Sequence, residues 1–238
     1  MAFIITMAGM SSRFHNAGYK VPKYALELGE QNLFKASVSS FKRYFQSDQF
    51  IFVVRNDLFA AEFVGHAVDE LGIASFDIIQ LERDTLGQAE SLSMALNYYS
   101  YDFPIYVFNI DTIRHDFIKP KVADLCDGYL EVFRGSGKNW SYVEPGEGDV
   151  VKRTAEKQPI SDLCSNGLYY FKSSLNFQNI FSMLDKRKDL VNGEYYIAPI
   201  YNELIKKGDD IRFHEIPIAL IDFCGTPLEY IELQKKAR

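Results

Sequence analysis

The strongest constraint on this chain lies at its start, where the apolar run Ala2-Phe3-Ile4-Ile5-Thr6 empties into Met7-Ala8-Gly9-Met10-Ser11-Ser12-Arg13, with Pro22-Lys23 following. The run is too short for a stable helix, and its Phe and Ile content suits a strand buried on both faces of a parallel sheet. The small residues after it let the backbone approach a ligand, and successive N–H groups can point into one concavity and hold an anion. Arg13 and Lys23 add two different cations, a fork that matches phosphate oxygens and a compact point charge on a mobile stem. Taken singly, Gly9 reads as ordinary turn chemistry and each basic residue as a solvated one. The string is neither a Walker loop nor the three-glycine dinucleotide fingerprint.

Strand and helix patterns then alternate. Residues 24–28 read as a short extended segment, and Asn32 caps a helix with Leu33, Phe34, Val38 and Phe41 on its apolar face. A buried strand at 50–54, a helix through Phe59, Phe63, Val64, Val68 and Leu71, and a strand at 76–81 follow. This alternation predicts an α/β fold with a mostly parallel sheet covered by helices on both faces, and places ligands at the carboxyl ends of the strands. Between the 76–81 strand and the next helix lies Asp84-Thr85-Leu86-Gly87-Gln88-Ala89. Thr85 there can simply cap the helix, whereas Gly87 permits close backbone approach and the Gln88 amide suits the edge of a base. A strand at 104–112 ends in Asp111, which either caps a turn or stands where a magnesium ligand would bridge phosphate oxygens.

Near residue 118 the pattern changes to short runs at 128–133, 140–144 and 150–152, separated by Gly-rich turns as in antiparallel hairpins. The predicted organisation is one domain, 1–238, with a first half (1–118) and a second half (119–238) that contains a smaller antiparallel subregion. Three residues in the second half have a plain reading first: Lys157 as a solvated lysine, Asn166-Gly167 as a hairpin turn, and Glu194 as a first-turn acid on an apolar helix that Gly208 ends. Residues 211–221 read as a strand, and the tail from 228 as a charged helix.

Composition narrows the class. A chain of 238 residues can bury a sizeable core, and its net charge of −6 argues against a nucleic-acid surface. Cys126, Cys164 and Cys224 are far apart, so neither a disulfide framework nor a zinc site is indicated, which fits a reducing cytoplasm. No stretch has the apolar length of a membrane span. The tyrosines 98, 99 and 101 could cover a homo-oligomer interface or a helix end.

The string Gly9 to Arg13 followed by Gly18-Tyr19-Lys20-Val21-Pro22-Lys23 resembles the signature of the nucleoside-diphosphate-sugar pyrophosphorylases, nucleotidyltransferases that join an NTP to a sugar 1-phosphate. Where that family usually has a second glycine, this chain has Ser11, so a positive φ there would be strained. The segment at 84–91 is similar to the loop that closes over the base, Glu156-Lys157 to the family's Glu-Lys motif, and Asp222-Phe223-Cys224-Gly225-Thr226-Pro227 to its closing Asp-x-Gly-Thr-Pro with one residue more. The resemblance implies a Rossmann-like (GT-A-like) domain in which Ala8, Gly9, Ser11, Ser12, Arg13, Lys23, Gly87, Gln88 and Asp111 bind the nucleotide. It also implies that 1–118 is the nucleotide-binding half and 119–238 the acceptor-binding half, with its acceptor-binding antiparallel subregion, where Lys157, Asn166, Gly167 and Glu194 bind the acceptor. Asp111 and Asp222 would hold Mg²⁺ on the α-phosphate, Arg13 and Lys23 would neutralise the leaving pyrophosphate, and Lys157 would orient the incoming phosphate, so that Arg13, Lys23 and Lys157 carry catalysis. Such an enzyme needs no titrating nucleophile, and His15 on the loop has no catalytic part.

The implied product is an NDP-sugar, a precursor of surface polysaccharide. Two other readings share the first signature: a cytidylyltransferase acting on a small phosphorylated headgroup such as phosphocholine, and a non-catalytic nucleotide-binding module. A glycosyltransferase of related fold would show Asp-x-Asp at the strand tip, where this chain has Asn109-Ile110-Asp111.

Overall fold

The opening apolar run forms strand β1 (Ala2–Thr6), and Ala2, Phe3, Ile4 and Ile5 are completely buried. The structure is a computed structural model and describes residues 1–237. The chain continues through α1 (Ser12–Asn16), the ribbon β2 (Glu27–Leu28) and β3 (Gln31–Asn32), α2 (Leu33–Val38), β4 (Gln49–Val54), α3 (Leu58–Leu71), β5 (Phe76–Gln80), α4 (Gln88–Leu96), β6 (Ile105–Asn109) and β7 (Thr112–Arg114). Its second half supplies β8 (Gly128–Arg134), β9 (Ser141–Pro145), β10 (Val151–Glu156), β11 (Leu163–Phe171), α5 (Ser174–Arg187), α6 (Ala198–Lys207), β12 (Ile211–Glu215), β13 (Ile221–Phe223) and α7 (Pro227–Lys236).

Nine strands form the main sheet in the order β10-β9-β11-β6-β1-β4-β5, with β8 beside β11 and β12 beside β8. The pairs β1–β4, β1–β6 and β4–β5 are parallel, so the carboxyl ends of β1, β4, β5 and β6 share one edge. Alternation along β1 sends Ala2 and Ile4 into one apolar layer and Phe3 and Ile5 into another. The first layer includes Leu92 and Leu96 of α4, Phe177 and Ile180 of α5 and Ile200 and Leu204 of α6; the second includes Phe34 and Val38 of α2 and Val64 and Val68 of α3. Each buried side chain of this size adds roughly 1.5–3 kcal/mol. The predicted helix-covered sheet is therefore present.

Caps account for several boundaries. Asn32 accepts from Lys35 N at 2.9 Å at the start of α2, as expected, and Asp57 does the same for Ala60 N at 2.6 Å at the start of α3. The apolar face expected to run on to Phe41 does so through a tighter turn, Ser39–Tyr44, because Phe41 leaves helical geometry. At the end of the chain Thr226 and Glu229 form a reciprocal capping box on α7.

Four expectations change. Lys23–Ala25 is a turn of 3-10 helix rather than an extended segment, and only then does β2 begin. The run 211–221 is two strands, β12 and β13, because Pro217 interrupts it and Ile218–Leu220 turns as 3-10 helix. Of the expected hairpins only β9–β10 forms. β8 is buried at every position but its last, and is inserted between β11 and β12 instead of pairing with β9. Asn166-Gly167 is likewise no hairpin turn, but lies inside β11 at an irregularity between Ser165 and Tyr169. β11 also joins the halves, since its residues 168–171 pair antiparallel with β6.

Candidate active site

At the end of β1, Met7 N still completes the ladder by donating to Val53 O at 2.9 Å. Then the pairing stops: among the described residues no backbone N–H from Ala8 to Arg13 has a protein acceptor. Ser11 adopts φ 51°, ψ 27°, the left-handed conformation in which a residue other than glycine is strained, and its hydroxyl accepts from Lys23 N at 3.3 Å. Phe14, 1% exposed, anchors the loop against Tyr19 and Tyr230. A Cβ on Gly9 would meet nothing within 4 Å, so the loop is open on that side. Unpaired N–H groups on a partly exposed loop are the raw material of an anion site.

Facing the loop, Lys23 forms an ion pair with Asp111, just past the tip of β6. Asn109, whose amide carried no motif signal, ends β6 between Gln88 and Gly167. It accepts from Gln88 Nε2, which also donates to Thr6 Oγ1 at 2.9 Å. Gln88, expected to read a base, thus has its amide nitrogen turned to the protein. Against the other side of Asn109 lies Gly167 at φ +90°, where a Cβ would come 2.5 Å from the Asn109 amide nitrogen.

The acceptor side is equally connected. Lys157, at φ 56°, gives its ammonium to the Tyr196 hydroxyl, and the ammonium stands 4.5 Å from the Tyr196 ring centroid and 4.0 Å from a Glu194 carboxylate oxygen. The Tyr196 hydroxyl in turn donates to Glu194. Burial, then this bond to Glu194, pushes the Tyr196 phenol above its ordinary range, while the Arg13 guanidinium pulls it down. Glu156 is held by the Ser141 hydroxyl, and burial pushes its carboxyl up. Tyr196 carried no motif signal. Gly87 does make a close backbone approach, but to Tyr195: its Cβ would lie 2.6 Å from Tyr195 O, and Ala89 N donates to that oxygen at 3.1 Å. Gly87 rather than Thr85 begins α4, since Thr85 pairs with Ser91 instead.

Two expected residues face elsewhere. Asn166 is 2% exposed; its amide donates to Glu131 at 2.7 Å and accepts from Leu168 N at 3.0 Å, so it shapes the strand that presents Gly167. Asp222 accepts from His115 at 2.8 Å and Lys236 at 2.6 Å, and lines a hollow of about 410 Å³ together with Arg43, Arg114 and Leu233. Burial opposes its ionisation, but the bonds from Lys236 and His115 prevail and hold the Asp222 carboxyl below its usual value. The extra residue before Gly225 puts Asp222 one place out of the Asp-x-Gly-Thr-Pro register. A one-residue shift along a strand reverses the face, and it is Phe223 that packs on Trp140 and Phe133.

Both Asp222 carboxylate oxygens are thus engaged by His115 and Lys236, while Asp111 pairs with Lys23. A Cβ on Gly225 would lie 3.4 Å from Asp111 Oδ2 and 3.7 Å from Glu229 Oε2, but Glu229 is engaged in capping α7. Among the described residues no three His, Cys, Asp or Glu side chains cluster as a ready metal cage. One carboxylate with substrate phosphates is nonetheless a usual magnesium environment, and Asp111, with 36% of its side chain exposed, fits that donor set. The three cysteines are buried and free, Tyr98 and Tyr101 are exposed while Tyr99 donates to Asp77 at 2.5 Å, and no described helix is long and apolar enough to cross a membrane.

No protein-family model and no curated protein matches the sequence. Among solved structures, the chain is similar to a nucleoside-diphosphate-sugar pyrophosphorylase from Vibrio cholerae RC9, at 45% identity and TM-score 0.94, over 99% of this chain and 100% of that one. It shares its fold with a putative glucose-1-phosphate thymidylyltransferase from Bacillus anthracis (19% identity, TM-score 0.80, 100% of this chain and 96% of that one). The same fold is seen in a UDP-glucose pyrophosphorylase (15% identity, TM-score 0.74, 99% and 97% of the two chains). Near-half identity along the full length of both chains, together with a free-amide loop beside a strand-tip carboxylate, shows that this protein belongs to the nucleoside-diphosphate-sugar pyrophosphorylases and is a nucleotidyltransferase.

Proposed function

We propose that the enzyme joins an NTP to a sugar 1-phosphate, releasing pyrophosphate and an NDP-sugar. The observation that carries this reading is the run of unpaired N–H groups from Ala8 to Arg13, opposite Lys23 and Asp111. Such a loop can wrap a triphosphate, and Arg13 and Lys23 can take up the charge that builds on the departing pyrophosphate. In the reaction an oxygen of the acceptor phosphate forms a bond to the α-phosphorus while the bond to the pyrophosphate oxygen breaks. Lys157 orients that incoming oxygen, Gly167 offers backbone and Glu194 an acceptor for sugar hydroxyls, and Gln88 stands at the base. Asp111 would hold Mg²⁺, which supplies neutralisation of phosphate charge. Positioning and charge suffice, and no side chain needs to titrate. A nucleotide sugar is the activated donor that glycosyl transfer consumes, which suits a supply of surface polysaccharide precursors.

The test is pyrophosphate release with Mg²⁺ across CTP, UTP, dTTP, GTP and ATP, each against sugar 1-phosphates and phosphorylated headgroups including phosphocholine. Release that requires one NTP and one sugar 1-phosphate is expected. Release with a headgroup alone would replace the acceptor class by that of a headgroup cytidylyltransferase. No release with any pair, despite NTP binding, would remove the sugar 1-phosphate assignment.

A further inference from the structure

Lys157 does not wait in solvent. Its backbone is turned into the left-handed region at φ 56°, where its N–H donates to Trp140 O at 2.9 Å, and its side chain crosses to Tyr196. There the ammonium meets both faces of one residue's chemistry, the hydroxyl oxygen as a hydrogen-bond acceptor and the ring at 4.5 Å as a π surface. The hydroxyl proton is spent on Glu194, so the chain of donors runs one way, from ammonium to phenol to carboxylate. Tyr196 is itself rigidly mounted: Tyr195 N donates to Leu86 O at 2.6 Å and Ala89 N to Tyr195 O at 3.1 Å, which fastens this segment to the loop before α4.

We infer that Tyr196 is a positioning residue, which with Glu194 holds the Lys157 ammonium where the acceptor phosphate binds, one ammonium proton staying on the phenol while the others meet the phosphate. This rests on the function proposed above. A lysine stem has many rotamers, and fixing it beforehand removes that ordering from the cost of binding. The phenol takes one of the three ammonium protons and leaves two for phosphate oxygens, whereas a direct ion pair with Glu194 would compete with the phosphate for the charge. Burial keeps the phenol protonated, so it remains a donor to Glu194 and an acceptor from Lys157.

Tyr196→Phe tests this, because it keeps the ring and removes only the hydroxyl. With the acceptor found in the panel, the KM for acceptor should rise about threefold to tenfold, the factor given by one hydrogen bond of ordinary net strength. The KM for NTP and kcat at saturating acceptor should stay within about twofold, and Tyr196→Ala should raise acceptor KM further by removing the cation–π contact as well. A second readout needs no turnover: labelling of Lys157 by pyridoxal 5′-phosphate with borohydride, scored against the other lysine peptides. It should be faster in Tyr196→Phe, because the amine is released from its chain. Faster labelling with no turnover of any acceptor would keep the Tyr196 assignment and reject the proposed function. Unchanged labelling, or equal rises in both KM values, would reject the Tyr196 assignment while leaving the function standing.

Discussion

In the proposed reaction Arg13, Lys23 and Asp111 each act through charge in a preformed place, so removing one should cost far more than an ordinary surface change. Arg13→Ala, Lys23→Ala and Asp111→Asn are each expected to lower turnover by roughly 10² or more, as for loss of a preorganised electrostatic group, measured by pyrophosphate release. Near-parental activity in all three would refute the site. Asp222 belongs to a different kind of residue. Its carboxyl is held below the usual 3.8, so its contribution to stability is present above that value and is lost as pH falls through the folded-state pKa. Asp222→Asn should therefore lower Tm at pH 7, and melting curves of variant and parent should converge in acid below 3.8. A constant gap at all pH values would mean that the ion pairs to His115 and Lys236 are not the source.

Among the elements, the segment joining β5 to α4 has the least freedom. Gly87 has φ 128° and ψ 177°, a region that only glycine occupies readily, and it lies against the backbone of Tyr195. Gly87→Ala combines that strain with a contact that backbone cannot relieve by a rotamer change. A loss of about 1–3 kcal/mol is expected in urea unfolding, with a rise in KM for both substrates because the Leu86–Tyr195 and Ala89–Tyr195 bonds part. Unchanged stability would show that the loop can separate from residue 195 without harm. The same element explains a partial success of sequence reasoning. Gly87 does mark a close approach, but nothing local reveals whether a glycine is kept clear for a ligand or for the protein's own chain.

Across the whole molecule, the two halves meet through a buried ionic network rather than through apolar packing alone. Arg114 of β7 donates to Glu131 of β8, Nε at 2.7 Å and the terminal nitrogen at 3.2 Å, and Glu131 also receives Asn166 of β11. Both charges are nearly or wholly out of solvent, at 4% and 0% exposure. Glu131→Leu preserves bulk but strands the Arg114 guanidinium, a loss on the order of 3–5 kcal/mol that a shifted urea midpoint would read. A midpoint that does not move would mean that water reaches Arg114.

Local chemistry made much of this legible in advance. Apolar runs marked the strands at 2–6 and 50–54, because a fully buried strand must be apolar on both faces, and the edge strand at 76–80, only partly buried, tolerates Asp77 and Gln80. Asn32 and Gly208 announced helix ends through their own side-chain or backbone preferences, and the spacing of small residues and cations marked the loop at 7–13. What the sequence by itself determined was thus the buried strands and capped helices named here, and the order in which chemistry-bearing residues reach the sheet edge. The tertiary structure alone decided which of those residues meet: Lys23 with Asp111, Asn166 turned inward to Glu131, Lys157 beneath Tyr196, and Asp222 beside His115 and Lys236. These pairings depend on strand register and on the face a side chain takes, and one extra residue is enough to reverse a face without altering the local pattern that predicts the strand.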